Sequence, residues 1–456
     1  MSKKIIIIGG GLSGTLVAMN FLENSPDTQI TLIEKNPEKL GRGVAYHHDF
    51  THQPLNVVAS AMSLFSDRPS HFVEWLTTNH FRFNHLLPVI HPDVFVPRKI
   101  FGDYIIENLE LLHHKHKGRL QIRIDEVISL TENKKRYLAK LESGVEIYGD
   151  DIILALGNFP PADLFTENDP MNNDSRYFSI PWVDRIYSNI KGDENILLVG
   201  TGLTAVDVVL GLKMRGFNGK VTMVSRRGRL PSPHNLSAKP VRMEYDGHSH
   251  PRDTWFWVKG KMKENHKLPW TSVIDGLRPL TQKIWMSWTL EEKKYFMKRL
   301  RPFWEIARHR IPSASNEILN ELIKSGRLEI GKGEIRSTNI TKEGIETEFM
   351  FDNLYRKSSF QKIINCTGPE SNYRKVKFPI IRNLMEQGKV VSDELGLGIN
   401  CTPGGKILDQ SQKEVEGLWC IGPMRKSILW ETTALRELRE QATELVGFVL
   451  KKQDAV

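Results

Sequence analysis

With 456 residues the chain is long enough for two or three domains, each able to bury its own core. Its three cysteines, Cys366, Cys401 and Cys420, are odd in number and far apart in sequence; that excludes a disulfide framework or a cysteine-rich metal site and fits a reducing cytoplasm. The formal charge of +9 is spread along the chain, which fits a solvated basic surface better than a nucleic-acid footprint, and no apolar run approaches a membrane span.

The first informative stretch is 4–34, KIIIIGGGLSGTLVAMNFLENSPDTQITLIE. Residues 5–8 read as a strand buried on both faces, and 15–22 as a helix. Between them lies Gly9-Gly10-Gly11-Leu12-Ser13-Gly14. Gly9 permits the tight turn, Gly11 lets the backbone approach a pyrophosphate, and Gly14 allows the helix to pack closely on the strand. The helix N-terminus then faces the phosphate charge, with Leu12 and Ser13 in the turn that leads into it. A second strand, 29–33, ends in Glu34, whose carboxylate can accept ribose hydroxyls. A bare GxGxxG is weak evidence; strand, glycines, helix, strand and terminal acid together point to a dinucleotide site.

Past Glu34, Gly41-Arg42-Gly43 would let amides and the Arg42 guanidinium meet phosphate or flavin edges. Asn56 and Met62 lie in a mostly apolar loop and are candidate flavin-facing, catalytic positions; buried turn residues are the equally good alternative. A helix follows from about 70 to 75. Arg98, ahead of a helix around 102–112, is a candidate anion clamp or a surface charge. Strands are expected at 121–124, 126–130 with Val127 near the cofactor, 137–141 and 145–148. The apolar strand from Asp151 ends at Gly157, beside the ligand or at a domain junction, and Pro160-Pro161 marks the exit.

A second copy of the opening pattern appears at 195–225. Strand 195–199 runs into Gly200-Thr201-Gly202-Leu203-Thr204-Ala205, a helix spans 205–214, and the next strand is 220–224. Ala205 stands in the third glycine's place. Here Ser225-Arg226-Arg227 replaces the acid, offering guanidinium charge to a 2'-phosphate, so NADPH is favoured over NADH. One acid-ended and one arginine-ended site imply FAD at the first and NADPH at the second. Residues 246–327 turn helical and tryptophan-rich. An amphipathic bundle with an aromatic core is the plain account; the sharper one sets Arg310 and neighbouring cations before an anionic substrate. The last hundred residues return to the first domain. There 359–368 repeats the hairpin, strand and glycine of 151–157, a short strand stops at Gly422, and Thr432 or Thr433, after Trp430, caps a final helix running to 450.

These segments resemble bacterial FAD/NAD(P)-binding proteins related to class B flavin monooxygenases and N-hydroxylases. The carriers are GGGLSG, LGRGVAY, LNVVASAMSLFSDRPSHFVEWL, FVPRKIFGDYI, GTGLTAVD, DGLRPLTQKIW, RLRPFWEIARHR and LWETTALRELREQA. The resemblance implies an α/β chain with two Rossmann-like domains. An FAD domain (1–165 and 356–456) is interrupted by an NADPH domain (166–355) with a helical insertion at about 246–327. It implies Gly9, Gly11, Gly14 and Glu34 as FAD contacts and Gly200, Gly202 and Arg226 as NADPH contacts. It further implies hydride transfer to flavin, a flavin C4a-hydroperoxide formed with O2, and oxygenation of a small nucleophile such as an amine or amino-acid-like anion. A non-oxygenating reductase or an FAD-holding regulatory protein is the alternative. No metal, nucleic-acid or membrane partner is expected.

Overall fold

The computed structural model describes residues 2–451 apart from 48–49, 117, 135, 189, 191, 246 and 248–249. The chain divides into two units, Met1–Thr51 with Val57–Phe159 and Glu370–Val456, and His52–Asn56 with Pro160–Pro369.

In the first unit, strand Lys4–Ile8 sits inside a six-stranded sheet, between Gln29–Glu34 and Asp151–Leu154. Both pairings are parallel, and Leu120–Ile124 and Glu414–Cys420 extend the sheet in the same sense; Lys406–Leu408 closes one edge antiparallel. The run Ile5–Ile8 is wholly buried because it is covered twice. Ile6 and Ile8 face a core shared with Val127, Leu130 and Tyr137 of the antiparallel strands Val127–Asn133, Arg136–Leu141 and Glu146–Gly149. Ile7 points the other way, toward helix Leu12–Asn24. Helix Leu435–Lys451 packs on that same helix, with Thr443 Oγ1 and Asn20 Oδ1 3.1 Å apart.

The second unit repeats the plan. Five parallel strands run in the order Leu328–Lys332, Lys220–Ser225, Asn195–Val199, Lys362–Asn365, Tyr177–Phe178. Ile196 and Leu198 pack under helices Leu203–Met214 and Ser313–Lys324. Leu197 and Val224 meet the antiparallel strands Ile335–Ile340, Ile345–Phe351 and Leu354–Phe360. The helical stretch expected at 246–327 comprises Pro251–Glu264, Trp270–Leu277, Thr281–Ser287, Leu290–Arg299 and Arg301–Arg308 before Ser313–Lys324.

The boundaries differ from the expectation. The second unit takes up the chain at Pro160 rather than 166 and also includes His52–Asn56; the strands at 354–365 close it, since Ile363 pairs with Leu197, and the chain rejoins the first unit only at Glu370, not at 356. Each nucleotide domain is completed by the same hairpin, strand and glycine, so the motif alone does not say which domain it completes.

Candidate dinucleotide-binding sites

At the end of Lys4–Ile8, Gly9 donates its N–H to Ile33 O at 2.9 Å. Its φ of +104° is closed to L side chains, and a Cβ there would stand 2.3 Å from Ala155 O. A Cβ on Gly14 would lie 2.0 Å from Gly9 O, so the helix could not otherwise begin this close to the strand. Gly11 lies against Gly43, whose Cα is 3.1 Å from where a Gly11 Cβ would be, and the space over the helix start carries no side chain from either. Gly11 is the N-cap and no side chain caps the helix. The first-turn amides of Leu12, Ser13 and Gly14 are thus available to an anion.

Glu34 is 9% exposed. Its Oε2 accepts the Gly10 N–H at 2.9 Å and its Oε1 the Asn36 N–H at 3.1 Å. Each carboxylate oxygen has a second lone pair, so the group pins the turn and can still take a ribose hydroxyl. Arg42 Nη2 donates to Asp103 at 2.7 Å, while Nη1 is buried with no hydrogen-bond partner among the described residues. Gly102 makes room for it, since a Cβ there would be 2.7 Å from Nη1. Arg98 begins helix Arg98–Lys115, where the dipole disfavours a cation unless an anion is near. Gly157, with φ +66°, faces open space at its missing Cβ. Gly422, with φ +80°, sits over Ser13 Oγ, 3.1 Å from where its Cβ would be, and donates its N–H to Gln441 Oε1 at 2.9 Å.

Trp430 has φ +63° and ψ −59°, with the Glu431 N–H donated to Leu429 O at 2.8 Å. This is a γ-turn of the rare positive-φ kind, a strain of about 1–3 kcal/mol that the surroundings must hold. It delivers Thr432, which is 1% exposed with Oγ1 unpartnered among the described residues. Thr433 is exposed, and the final helix starts at Leu435, with the Leu438 N–H bonded to Ala434 O. Neither threonine is therefore its cap, against the expectation. Met62 is 3% exposed, which fits the buried-turn alternative, and the Val127 side chain, 2% exposed, belongs to the core.

The second cradle repeats the first almost bond for bond. The Gly200 N–H reaches Val224 O at 2.7 Å, φ is +125°, and a Cβ would be 2.2 Å from Cys366 O. Gly202 caps helix Leu203–Met214 without a side chain and faces open space. The turn is pinned differently. Thr201 Oγ1 donates to Arg229 O at 2.6 Å and lies 2.9 Å from Ser225 Oγ, which in turn accepts the Gly228 N–H at 3.0 Å. Thr201's hydroxyl thus holds the turn. Arg226 and Arg227 are exposed and form no ion pair with a described residue.

Two other expected catalytic positions lie in this unit. The Asn56 carbonyl accepts His234 Nε2 at 2.9 Å, and burial lowers the His234 pKa despite that bond, with Arg310 pushing the same way. Arg310 is 4% exposed, forks onto both carboxylate oxygens of Asp275 and donates Nε to Ala307 O at 2.9 Å. That pairing makes it a structural clamp rather than an anion receptor. The distant cysteines also hold a surprise: Cys401 and Cys420 are hydrogen-bonded to one another, and burial pushes the Cys420 thiol up.

Two glycine cradles, each at the end of a parallel sheet, define a two-dinucleotide fold. Residues 6–159 match a family model described as FAD-NAD(P)-binding, so this stretch is an FAD/NAD(P)-binding domain. The whole chain is similar to the ornithine N-hydroxylase KtzI of Kutzneria sp. 744, solved with reduced FAD, NADP+ and L-ornithine (TM-score 0.68, 13% identity, 99% of this chain and 100% of that one). It is also similar to L-lysine 6-monooxygenase from Pseudomonas syringae (0.66, 15%, 99% of each chain). The bacillithiol disulfide reductase Bdr from Staphylococcus aureus shares the fold at TM-score 0.58 and 12% identity over 99% of each chain. At such identities the likeness is one of fold. Comparison with curated protein sequences finds no match.

Proposed function

We propose that the chain is an NADPH-dependent FAD monooxygenase oxygenating a small amine or amino-acid-like substrate. The observation that carries the reading is the pair of cradles, alike in backbone yet different at the tip of the second strand. Glu34 holds the turn in one; Ser225, followed by the exposed Arg226 and Arg227, which form no ion pair with a described residue, replaces it in the other. The first suits the adenosine ribose of FAD, the second the 2'-phosphate of NADPH. The relatives of this fold that act on ornithine and lysine support the substrate class.

When bound, FAD supplies the oxygen-activating chemistry and NADPH the hydride. The residues for holding them are present. The uncapped helix start at Leu12 suits phosphate charge, Glu34 can take a ribose hydroxyl, and Arg42 Nη1 and Thr432 Oγ1 are buried donors without a hydrogen-bond partner among the described residues. The γ-turn at Trp430 fixes where the Thr432 hydroxyl stands. A non-oxygenating reductase is the second reading, favoured by the fold shared with Bdr.

The test is to reduce the purified protein anaerobically with NADPH, follow bleaching of its flavin absorbance, then admit O2 with L-lysine or L-ornithine. A hydroxylated product in proportion to NADPH consumed is expected. Hydrogen peroxide as the sole product would favour the reductase, and a colourless protein that refuses FAD would end both readings.

A further inference from the structure

The charge difference between the two cradles extends one strand beyond the arginine loop. In the first unit Glu34 is in register with Ile124, the last residue of Leu120–Ile124, and its carbonyl accepts the Asp125 N–H at 3.0 Å. In the second, Ser225 is in register with Lys332, the last residue of Leu328–Lys332, and its carbonyl accepts the Gly333 N–H at 2.8 Å. The backbone is the same and the side chains are not. An apolar residue followed by Asp125 and Glu126 flanks the acid-ended strand, and a lysine flanks the arginine-ended one.

The face on which Lys332 stands follows from the register. Side chains alternate along a strand, and register partners on neighbouring strands emerge on the same face. Val221 and Met223 share one core with Leu328 and Ile330, so Ser225 and Lys332 are the next members of those two rows. Ser225 Oγ lies 2.9 Å from Thr201 Oγ1 in the glycine turn, which puts Lys332 on the face of the sheet that carries the turn. Neighbouring strands are about 4.8 Å apart, less than the length of a lysine side chain, so the tip of Lys220–Ser225 is within reach of Nζ. The loop after that tip runs against the Lys332 backbone, since a Cβ on Gly228 would be 2.5 Å from Lys332 N. The surrounding charges leave the ammonium available. Lys332 is exposed and forms no ion pair with a described residue. Glu334 is paired with Arg336 at 2.8 Å, and the Asp352 carboxylate accepts the Lys332 backbone N–H at 2.7 Å. Arg229, the third arginine of the loop, is drawn aside, its guanidinium 5.1 Å from the Phe303 ring centroid.

We propose that Lys332 is a specificity-determining residue for the 2'-phosphate of NADPH, its ammonium meeting the phosphate from the neighbouring strand while Arg226 meets it from the loop. A phosphate dianion is better neutralised by two cations on separate elements than by one, and the lysine serves as a point charge where the arginine supplies directed bonds. The inference rests on the NADPH reading above, and its test keeps the two apart because binding is read without turnover.

The test is isothermal titration of the full-length protein with two probes that differ only in the group at issue, adenosine 2',5'-bisphosphate and 5'-AMP. The wild type is expected to prefer the bisphosphate. Lys332→Gln should reduce that preference roughly fivefold, the upper end for an exposed ion pair, by weakening the bisphosphate alone. Lys332→Arg should restore it. Lys220→Gln, the same charge change at the far end of the adjacent strand, where Lys220 pairs with Glu329 at 2.7 Å, should leave the preference as it was. The proposal is overturned if Lys332→Gln keeps the wild-type preference, if it weakens both probes equally, if Lys332→Arg fails to restore the preference, or if Lys220→Gln lowers it as much. Loss of the preference in Arg226→Ala but not in Lys332→Gln would sink the lysine and leave the NADPH reading standing. A wild type that binds both probes equally would sink that reading before any substitution is made.

Discussion

Replacing Glu34 separates two jobs that one carboxylate performs. In the protein without flavin its oxygens already accept two backbone amides, the buried Gly10 N–H at 2.9 Å and the half-buried Asn36 N–H at 3.1 Å. A hydrogen bond to a charged group is worth about 1.5–3 kcal/mol, and a buried donor left unmade costs about 1–3 kcal/mol. The Gly10 bond belongs at the middle of these ranges and the Asn36 bond, which water can partly replace, at the bottom. Glu34→Ala should therefore destabilise the flavin-free first unit by about 2–4 kcal/mol. Glu34→Gln keeps one acceptor oxygen and should lose about half of that. The assay is urea unfolding of flavin-stripped protein, followed by FAD titration of the fraction that remains folded. Stability should order as wild type, Gln, Ala, with FAD affinity falling in both variants beyond what unfolding explains. Should Glu34→Ala unfold at the wild-type urea midpoint while losing FAD, the carboxylate serves the ribose only, and the reasoning about the turn is wrong.

Arg226→Ala should raise the Michaelis constant for NADPH by roughly tenfold to a hundredfold, the loss of one guanidinium bond to phosphate, with little change for NADH; equal changes for both would show that the loop does not read the 2'-phosphate. Gly200→Ala places a Cβ 2.2 Å from Cys366 O at φ +125°, so NADPH binding should be lost while the protein stays yellow, as flavin absorbance and NADP+ titration would show. Burial lowers the His234 pKa, so the unfolded chain binds the extra proton first. The stability His234 contributes is complete above its unfolded value, about 6.5, and declines as pH falls toward the folded value. Denaturation between neutral and mildly acidic pH should show that decline in the wild type and a shallower one in His234→Gln.

What was readable beforehand was local. Strand, glycine turn, helix and strand-end acid all fall within residues 4–34, and each signal rests on backbone needs that a single sequence displays. The positive φ angles of Gly9 and Gly200 and the tight spot at Gly14 lie where the turn spacing puts them. What escaped reading depends on partners far along the chain. Arg310 looks like a free cation until Asp275, on helix Trp270–Leu277, takes it. Cys401 and Cys420 look unrelated until a hairpin brings them together. The hairpin at 354–365 was read into the wrong domain because only its pairing with Asn195–Val199 says which sheet it finishes.

The second unit is almost uninterrupted, from Pro160 to Pro369, whereas the first is completed only by Glu370–Val456. During synthesis the nested half can fold while the enclosing half still lacks strand Glu414–Cys420 and helix Leu435–Lys451. A ribosome-bound chain stopped before residue 400 would carry an intact GGGLSG fingerprint and yet no finished sheet on which to mount it. Acquisition of flavin is then a late event in the life of each molecule, and premature termination near the C-terminus would leave a competent nicotinamide domain attached to an unfinished one.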